Sequence, residues 1–279
     1  MSFKYISKLN NSLRHARLID RSLLWKKNAL KKLTVFFYNR AGRSNTGIIV
    51  ARFRGNRARK RARILSQSNS FLCIPGYICR IEYDPNRSAF ISLVLYSNNV
   101  CAYFLHTSGL SIGDRIVSYL DLSIPGLDNL AITFNNGDSS YLFCVPSGSL
   151  VHDLESIPLS GGVYSRSAGS YCIILKKFFR LRSSFIQLPS TQLRSFSFFC
   201  FCTKGIVSND LHYRISLGKA GRNRLLGYNP IVRGVAKNPV DHAHGGGEGK
   251  KSKPCFPRTA WGKMLHWRKT GVRFVNVHR

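Results

Sequence analysis

Short strands separated by turn residues are the main pattern in the middle of this 279-residue chain. Apolar and polar positions alternate roughly over residues 77–83. Two more apolar runs, 89–96 and 100–105, flank the pair at 98–99, Asn-Asn, which is typical of hairpin turns. A fourth strand is predicted at 115–118. Closely spaced short strands of this kind predict a small β-barrel.

A second set of short strands follows Pro125 and Gly126. These strands are predicted at 131–134, 141–145, 151–154, 171–175, 178–182 and 185–188. The two sets together predict a mainly β fold with two barrels in tandem. The run at 196–201, FSFFCF, is unusually aromatic and is either part of a core or a surface for a protein partner.

The two ends of the chain lack this β pattern. Residues 12–33 place Leu and Ile at roughly helical spacing beside a basic polar side, which predicts a helix that lies on the protein core or on RNA. A short strand is predicted at 48–53, within a basic loop. After about residue 205, Gly and Pro interrupt the chain often, which indicates a long irregular tail that is disordered or is ordered by a partner.

The net charge of +31 is concentrated at these two ends. Residues 1–63 carry 18 Lys and Arg against one acid, and residues 211–279 carry 15 against two, whereas residues 64–210 carry 10 against nine. Arms of this charge density repel themselves, so they need a polyanion to become compact. Nucleic acid is favoured because neutralising its phosphates releases counterions, and a membrane surface is second because the arms lack a long amphipathic face.

Other classes of protein find less support in the sequence. No apolar run approaches 18 residues, so no transmembrane helix is predicted. The eight cysteines form no CxxC pair, which indicates a reduced compartment without a disulfide framework. Cys200, Cys202 and Cys255 are either the remnant of a metal site or, more simply, buried and incidental thiols. Walker A, GxGxxG and GxSxG patterns are absent, and the S-x-x-K match at 216–219 has no second motif.

One stretch, NPVDHAHGGGEGK at 238–250, carries candidate chemistry. Asp241, His242, His244 and Glu248 could bind a metal, and Asp241 could orient the His242 ring as a general base, which leaves open a metal-dependent hydrolase. The glycines support a different hypothesis, in which backbone N–H groups closely approach RNA phosphates. A third hypothesis is a free-standing single-strand RNA-binding module at 64–210, which the net charge of +1 in that segment disfavours.

Six motifs, in order along the chain, resemble those of large-subunit ribosomal protein two, a universal family that binds large-subunit rRNA near the peptidyl-transferase centre. They are GRSNTG at 42–47, IEYDPNRSA at 81–89, GLSIGDRIVS at 109–118, RSAGSY at 166–171, LGKAGRNRLLG at 217–227 and VRGVAKNPVDHAHGGGEGK at 232–250. The resemblance extends over about residues 40–275.

The resemblance implies an OB-like barrel followed by an SH3-like barrel, with long irregular basic extensions at both ends. We therefore predict four segments. They are a basic N-terminal extension at 1–63, an OB-fold-like RNA-binding domain at 64–125, an SH3-like barrel at 126–205 and a basic, rRNA-contacting C-terminal extension at 206–279.

The resemblance also implies a structural, non-enzymatic role in the large ribosomal subunit, supporting the peptidyl-transferase region and subunit association. The implied partners are large-subunit rRNA, neighbouring large-subunit proteins and the small subunit at the interface. No membrane, homo-oligomer or cofactor is expected, apart from structural Mg²⁺ or K⁺ ions at the RNA interface.

The residues expected to contact rRNA come from the basic arms and from the 238–250 stretch. They are Arg40, Arg43, Arg52, Arg54, Arg57, Arg59, Lys60, Arg61, Arg63, Arg87, Lys219, Arg222, Arg224, Arg233, Asn238, Asp241, His242, His244, Gly245, Gly246, Gly247, Lys250, Trp261 and Trp267. The two tryptophans either stack on bases or dock the tail on a barrel. His242 matches the family's histidine for subunit association and peptidyl-transferase competence, and is expected to lie near that centre.

The chain departs from the family pattern at two places. Ala243 stands where the family usually has proline, which predicts a looser loop. At 52–60, RFRGNRARK replaces a glycine-rich stretch and adds arginines. This divergence, together with 18 Phe, 12 Tyr and 8 Cys, indicates an organellar ribosome, with the mitochondrial matrix favoured and the chloroplast as the alternative.

Overall fold

The computed structural model describes residues 2–7, 9–55, 57–67, 69–119, 134–247 and 256–264. The chain divides into two compact units, one formed by residues 1–38 and 59–222 and the other by residues 39–58 and 223–279. The described residues are mainly β, which confirms the predicted fold class. All of their fourteen strands lie in the first unit. The four-segment division of the chain stays a prediction.

The N-terminal segment is irregular over most of its length. It contains the single-turn helix α1 (Asn11–Arg14), a 3₁₀ turn at Lys31–Leu33 and the strand β1 (Thr34–Phe36), which pairs with β2 (Arg61–Arg63). The helix predicted over residues 12–33 is therefore wrong beyond its first turn.

Contacts with the first sheet explain why that helix does not form. Ile19 and Leu24 are buried in the core of that sheet, and the Trp25 amide donates a hydrogen bond to the Ile81 carbonyl at 2.8 Å. The apolar side chains thus reach the core from an extended chain, because tertiary burial outweighs a weak helical preference.

The first sheet is antiparallel and has four strands. They are β3 (Gly76–Tyr83), β4 (Phe90–Tyr96), β5 (Cys101–Leu105) and β6 (Arg115–Ile116), in the spatial order β5-β4-β3-β6. These bounds agree closely with the predicted strands, and Asn99 adopts φ +61° in the expected hairpin turn. Its core includes Ile78, Phe90, Val94 and Tyr96.

The second sheet has six strands. The strands that follow β6 are β7 (Ser139–Tyr141), β8 (Leu150–His152), β9 (Leu154–Glu155), β10 (Gly162–Tyr164), β11 (Cys172–Phe178), β12 (Ser183–Gln187), β13 (Leu193–Ser197) and β14 (Phe201–Lys204). The six-stranded order is β13-β12-β11-β8-β14-β7, while β9 and β10 pair separately. The two sheets are consistent with an OB-like barrel followed by an SH3-like barrel.

Several predicted strands differ from the structure. Of residues 178–182, predicted as a strand, only Phe178 belongs to one, at the end of β11. Residues 179–182 form the turn to β12, in which the Leu181 amide donates to the Phe178 carbonyl. The strand predicted at 48–53 is reduced to an isolated bridge between Arg43 and Ile49. The strand predicted at 131–134 lies mostly outside the described residues.

The aromatic run at 196–201 lies at the end of β13 and the start of β14. Phe196, Phe198 and Phe201 are buried, whereas Phe199 is exposed. Cys200 and Cys202 are buried in the same core, where burial raises the pKa of both thiols. The run is therefore mainly core, and the two cysteines behave as small apolar side chains. Cys255 lies outside the described residues.

Polar side chains join the two sheets inside the first unit. The Thr107 hydroxyl lies 2.9 Å from Nε2 of the buried His152, and an isolated bridge links Ser118 to Ser139. Asp138, also buried, accepts the Val117 amide at 2.9 Å. Because these groups connect strands of different sheets, they fix one sheet against the other.

The C-terminal part of the chain is largely irregular, as predicted. Its described helical pieces are a 3₁₀ turn at Asp210–Arg214, the helix α2 (Ala220–Leu225) and a 3₁₀ turn at Gly234–Ala236. No helix within the described ranges is both long enough and apolar enough to cross a membrane.

Candidate nucleic-acid interface

A tight loop at 42–51 presents the first arginines of the second unit. The carbonyl oxygen of Gly42 accepts two hydrogen bonds, from the Val50 and Ala51 amides, each at 3.0 Å. The guanidinium of Arg40 hydrogen-bonds the Asn45 side chain, and Arg43 is exposed. Backbone bonds and the Arg40–Asn45 contact therefore shape this loop, and Arg43 stays at the surface.

The segment at 53–58 runs against the segment at 225–229. The Gly55 amide donates to the Gly227 carbonyl at 3.0 Å, and the Asn229 amide donates to the Phe53 carbonyl at 2.9 Å. The Arg54 guanidinium lies over the Tyr228 ring, 3.9 Å from its centroid. A cation–π pair and a few backbone bonds thus hold together two stretches that are far apart in sequence.

The backbone around 237–246 folds into a closed loop. The Asn238 carbonyl accepts the amides of Asp241 at 3.0 Å and His242 at 3.3 Å, and the Lys237 carbonyl accepts the Gly246 amide at 2.8 Å. The His242 carbonyl accepts the Gly245 amide at 2.8 Å. Despite Ala243 in place of the family's usual proline, this loop has four internal backbone bonds.

The two histidine rings of the loop each accept a backbone hydrogen bond. The His244 amide donates to Nδ1 of His242 at 3.0 Å, and the Arg258 amide donates to Nε2 of His244 at 2.8 Å. The rings meet edge to face, with centroids 5.3 Å apart. Since Nδ1 of His242 accepts, the neutral ring carries its proton on Nε2, which can donate to an outside acceptor.

A glycine makes room for the His242 ring. A Cβ atom at Gly234 would lie 2.5 Å from both Nδ1 and Cε1 of that ring, which is far inside van der Waals contact. Only glycine at this position lets the ring pack directly on the backbone. Gly246 adopts φ +77°, a left-handed conformation that also favours glycine.

The pKa of His242 is lowered by the partial burial of its ring and then by the positive charges of His244, Lys237 and Arg52. The ring is therefore neutral at physiological pH and acts as a hydrogen-bonding group rather than as a cation. Within the described part of the chain, no three His, Cys, Asp or Glu side chains form a group that could hold a metal ion. Glu248, the fourth ligand of the metal hypothesis, lies outside that part.

Aromatic rings and cations alternate on the same unit. Trp261 is 62% exposed, and the Arg52 guanidinium lies 5.0 Å from its ring centroid. The ring of Phe53 lies near Arg52 and Lys237, at 5.6 and 5.3 Å. Such rings can stack on unpaired bases while the cations meet phosphates.

The second unit combines high charge with little burial. It carries 17 Lys and Arg against two acids, a net charge of +15. Among its described residues only Gly227 is buried, and none belongs to a hydrophobic core cluster. Apolar burial therefore contributes little to the stability of the described part of this unit, and the charge opposes its compact form.

The structure divides the predicted rRNA-contacting residues between the two units. Those of the second unit are Arg40, Arg43, Arg52, Arg54, Arg57, Arg224, Arg233, Asn238, Asp241, His242, His244, Gly245, Gly246, Gly247 and Trp261. Those of the first unit are Arg59, Lys60, Arg61, Arg63, Arg87, Lys219 and Arg222. Lys250 and Trp267 lie outside the described residues.

Some of the first-unit cations are engaged with the protein itself. Arg87 pairs with the buried Asp84 at 2.7 Å, Lys60 donates to the Pro85 carbonyl at 2.8 Å, and Arg222 donates to the Leu217 carbonyl at 2.6 Å. These three side chains have a structural role in the fold. Arg59, Arg61 and Lys219 are exposed.

Some residues that position the interface side chains were not predicted from the sequence. Gly234 seats the His242 ring, and the Lys237 carbonyl closes the loop. The Arg54 guanidinium lies over the Tyr228 ring, and the Lys237 ammonium lies over the Phe53 ring. Gly234 and Lys237 lie within the quoted 232–250 motif, so the signal was present, but their contacts depend on the fold.

Comparisons with known proteins agree with this architecture. Residues 30–118 match a family model described as "Ribosomal Proteins L2, RNA binding N-terminal domain", and residues 135–262 match "Ribosomal Proteins L2, C-terminal domain".

Similar whole proteins are large ribosomal subunit proteins uL2 of bacteria. The one from Orientia tsutsugamushi is 40% identical over 272 residues, covering 97% of this chain and 94% of that protein. The one from Ehrlichia canis is 39% identical, covering 98% and 95%, and the one from Rhodospirillum centenum is 39% identical, covering 97% and 94%. With this identity along nearly its whole length, the chain belongs to the L2 (uL2) family of large ribosomal subunit proteins.

Proposed function

We propose that this protein is a structural constituent of the large ribosomal subunit that binds large-subunit rRNA. The observation that carries the proposal is the second unit, which has a net charge of +15 and whose described residues form no apolar core. RNA can stabilise the loops of this unit, because its phosphates neutralise their cations and its bases cover their aromatic rings.

Sedimentation tests this role directly. On a gradient at low magnesium, which separates the subunits, the native protein should travel with the large subunit and with large-subunit rRNA. Protein that runs free of ribosomal particles under these conditions would contradict the proposal.

The loop with His242 is proposed to contact RNA near the peptidyl-transferase region and to support association with the small subunit. Its support is geometric: the neutral ring is fixed on Gly234 and on the His244 amide, and it keeps Nε2–H as a donor for RNA. The role is structural, not catalytic, since the ring shapes RNA and transfers no proton. Neighbouring large-subunit proteins are the remaining proposed partners.

The rival metal-dependent hydrolase predicts bound metal in stoichiometric amount. The ring nitrogens Nδ1 of His242 and Nε2 of His244 already accept backbone hydrogen bonds, which leaves one nitrogen on each ring. Elemental analysis of the purified protein should find no stoichiometric zinc or manganese. One equivalent of either metal, lost in a variant lacking both histidines, would favour the hydrolase.

We further propose that the ribosome is mitochondrial, with the chloroplast as the alternative. The support is the divergent, aromatic-rich and cysteine-rich sequence, in which Cys172, Cys200 and Cys202 are buried. The relatives compared are bacterial, so the location needs its own test. Ribosomes from purified mitochondria of the source organism should contain the protein; recovery in chloroplast or bacterial ribosomes instead would contradict this location.

A further inference from the structure

The turn between β11 and β12 exposes apolar side chains at the end of a hairpin. Leu181, at the turn, is 70% exposed, and its neighbours Phe178 and Phe179 are 40% and 57% exposed. Arg180 and Arg182 stand between and beside them and are also exposed. The described residues therefore leave most of the Leu181 side chain in contact with solvent.

The two rings of the turn are held in place from behind. Phe179 meets Phe143 and Phe198 edge to face, with centroids 6.3 and 5.6 Å away, and Phe178 meets Phe185 at 5.1 Å. Rings supported in this way lose little conformational freedom on binding, which favours their use as contact residues.

A second exposed ring lies beside the turn. The Phe198 amide donates to the Arg182 carbonyl at 3.0 Å, which brings the chain after β13 next to the hairpin end. Phe199 is the following residue and is exposed. We call Phe178, Phe179, Leu181 and Phe199, with Arg180 and Arg182, the hairpin surface.

The charge around the hairpin surface has one sign. Residues 156–209 contain seven Lys and Arg and no acid. Over the described residues 134–209 the only carboxylates, those of Asp138, Asp153 and Glu155, are buried. A partner at this surface therefore meets apolar side chains beside Arg180 and Arg182, and no exposed carboxylate from residues 134–209.

We propose that the hairpin surface docks a protein segment that carries apolar side chains flanked by carboxylates. Charge complementarity selects an acidic partner, and the apolar side chains need an apolar cover. RNA would also satisfy the cations, but it offers apolar contact only through flat base faces, which suit rings. Leu181, the most exposed of its apolar side chains, is aliphatic and gives no flat face on which a base can stack.

This inference rests on the proposed function, because it places the partner inside the large ribosomal subunit. The hairpin surface was not among the residues expected to touch rRNA. A cross-linking experiment on assembled particles can therefore separate the two proposals.

A photo-reactive phenylalanine derivative placed at position 181 of the full-length protein, in purified large subunits, is the direct test. Irradiation should give one protein adduct, whose cross-linked peptide contains apolar residues and at least two Asp or Glu. An RNA adduct, no adduct, or a peptide without acidic residues overturns the inference. The same probe at Ile157, which is 67% exposed but outside the hairpin surface, should not give this adduct.

Variants provide the second readout. In large subunits that carry Leu181→Ser with Arg180→Glu, quantitative mass spectrometry should show the cross-linked protein reduced about tenfold, a loss typical of central contact residues, with the other proteins within about twofold of wild type. Equal retention of that protein in both particles overturns the inference. Leu181 and Arg180 are exposed, so the fold should tolerate both changes.

Sedimentation of the same variant distinguishes the hairpin inference from the proposed rRNA-binding function. If the variant travels with the large subunit but keeps every protein, the hairpin inference fails and the rRNA-binding role stands. If even the wild-type protein runs free of the particles, the proposed function itself fails.

Discussion

At the scale of single residues, the position of the His242 ring depends on a glycine eight residues earlier. The sequence identified His242 through its motif, because histidine beside glycine and aspartate suggests chemistry. It did not identify Gly234, since a ring packed on a distant backbone position becomes visible only when the loop is folded. Chemical residue types are thus easier to predict than the residues that place them.

Gly234→Ala should displace the His242 ring while leaving the particle assembled. The new methyl group would lie 2.5 Å from two ring atoms, so the ring must leave its seat. Purified ribosomes with this variant should translate several-fold more slowly, as measured by peptide synthesis at matched ribosome concentration. Gly221→Ala, where a Cβ would meet nothing within 4 Å, is the control and should translate normally. Normal translation by both variants would contradict the role of Gly234 in placing the His242 ring.

His242→Ala should give large subunits that form but translate poorly, because the ring donor at Nε2 is lost. His242→Gln should recover part of the activity, since a side-chain amide can also donate a hydrogen bond to RNA. Both variants are compared by sedimentation and by peptide synthesis. Wild-type translation by His242→Ala would show that the residue has no special role.

At the scale of elements, the strands of the first sheet were predicted well and those of the second sheet less well. The first sheet has Asn-rich and Asp-rich turns that separate its apolar runs. The turn at 179–182 has the sequence FRLR, without Gly, Asn, Asp or Pro, and Arg182 adopts φ +47° there. Because the turn contains none of the residues that usually mark turns, the hairpin could not be located from the sequence.

The buried histidines His106 and His152, where the two sheets meet, should make the fold sensitive to mild acid. Burial lowers the pKa of His106 to about 4 and that of His152 to about 3, the latter also through its neighbour His106. Below the unfolded pKa of about 6.5, the unfolded chain gains protons that the folded chain does not. The free energy of unfolding should then fall by up to about 1.4 kcal/mol per pH unit for each histidine.

Urea unfolding of the full chain, followed by circular dichroism between pH 7 and 5, measures this loss. In His106→Gln with His152→Gln, the urea midpoint should change much less between pH 7 and 5 than in the wild-type protein. An equal pH dependence in variant and wild type would assign the effect to other groups. Asp114, whose charge acts on His106 in the opposite direction, remains in both proteins.

At the scale of the whole molecule, composition and pattern predicted a mainly β centre with basic, irregular ends, and the structure agrees. What could not be predicted is how the ends associate: residues 39–58 join the C-terminal part in one unit, while residues 1–38 belong with the sheets. That association depends on backbone hydrogen bonds, such as the one from the Gly55 amide to the Gly227 carbonyl. Backbone bonds of this kind produce no recognisable sequence pattern in either segment.

Salt dependence should distinguish the cations that meet phosphates. Each phosphate contact contributes about 0.7 to 0.9 to the slope of log affinity against log salt. Arg59→Gln with Arg61→Gln should therefore lower the slope by about 1.5 for an rRNA fragment. Lys176→Gln with Arg180→Gln removes the same charge near the hairpin surface and should leave the slope unchanged. Equal slopes for all three proteins would argue against phosphate contact by Arg59 and Arg61.

The near absence of buried residues in the described part of the second unit has a consequence for the supply of the protein in the cell. A copy without rRNA leaves residues 39–55, 223–247 and 256–264 open to proteases, whereas the two sheets stay protected by their cores. When rRNA synthesis is blocked, newly made protein should lose these segments within minutes in a pulse-chase experiment, while protein already in ribosomes persists. Turnover of surplus copies would in this way match the amount of protein to the amount of rRNA.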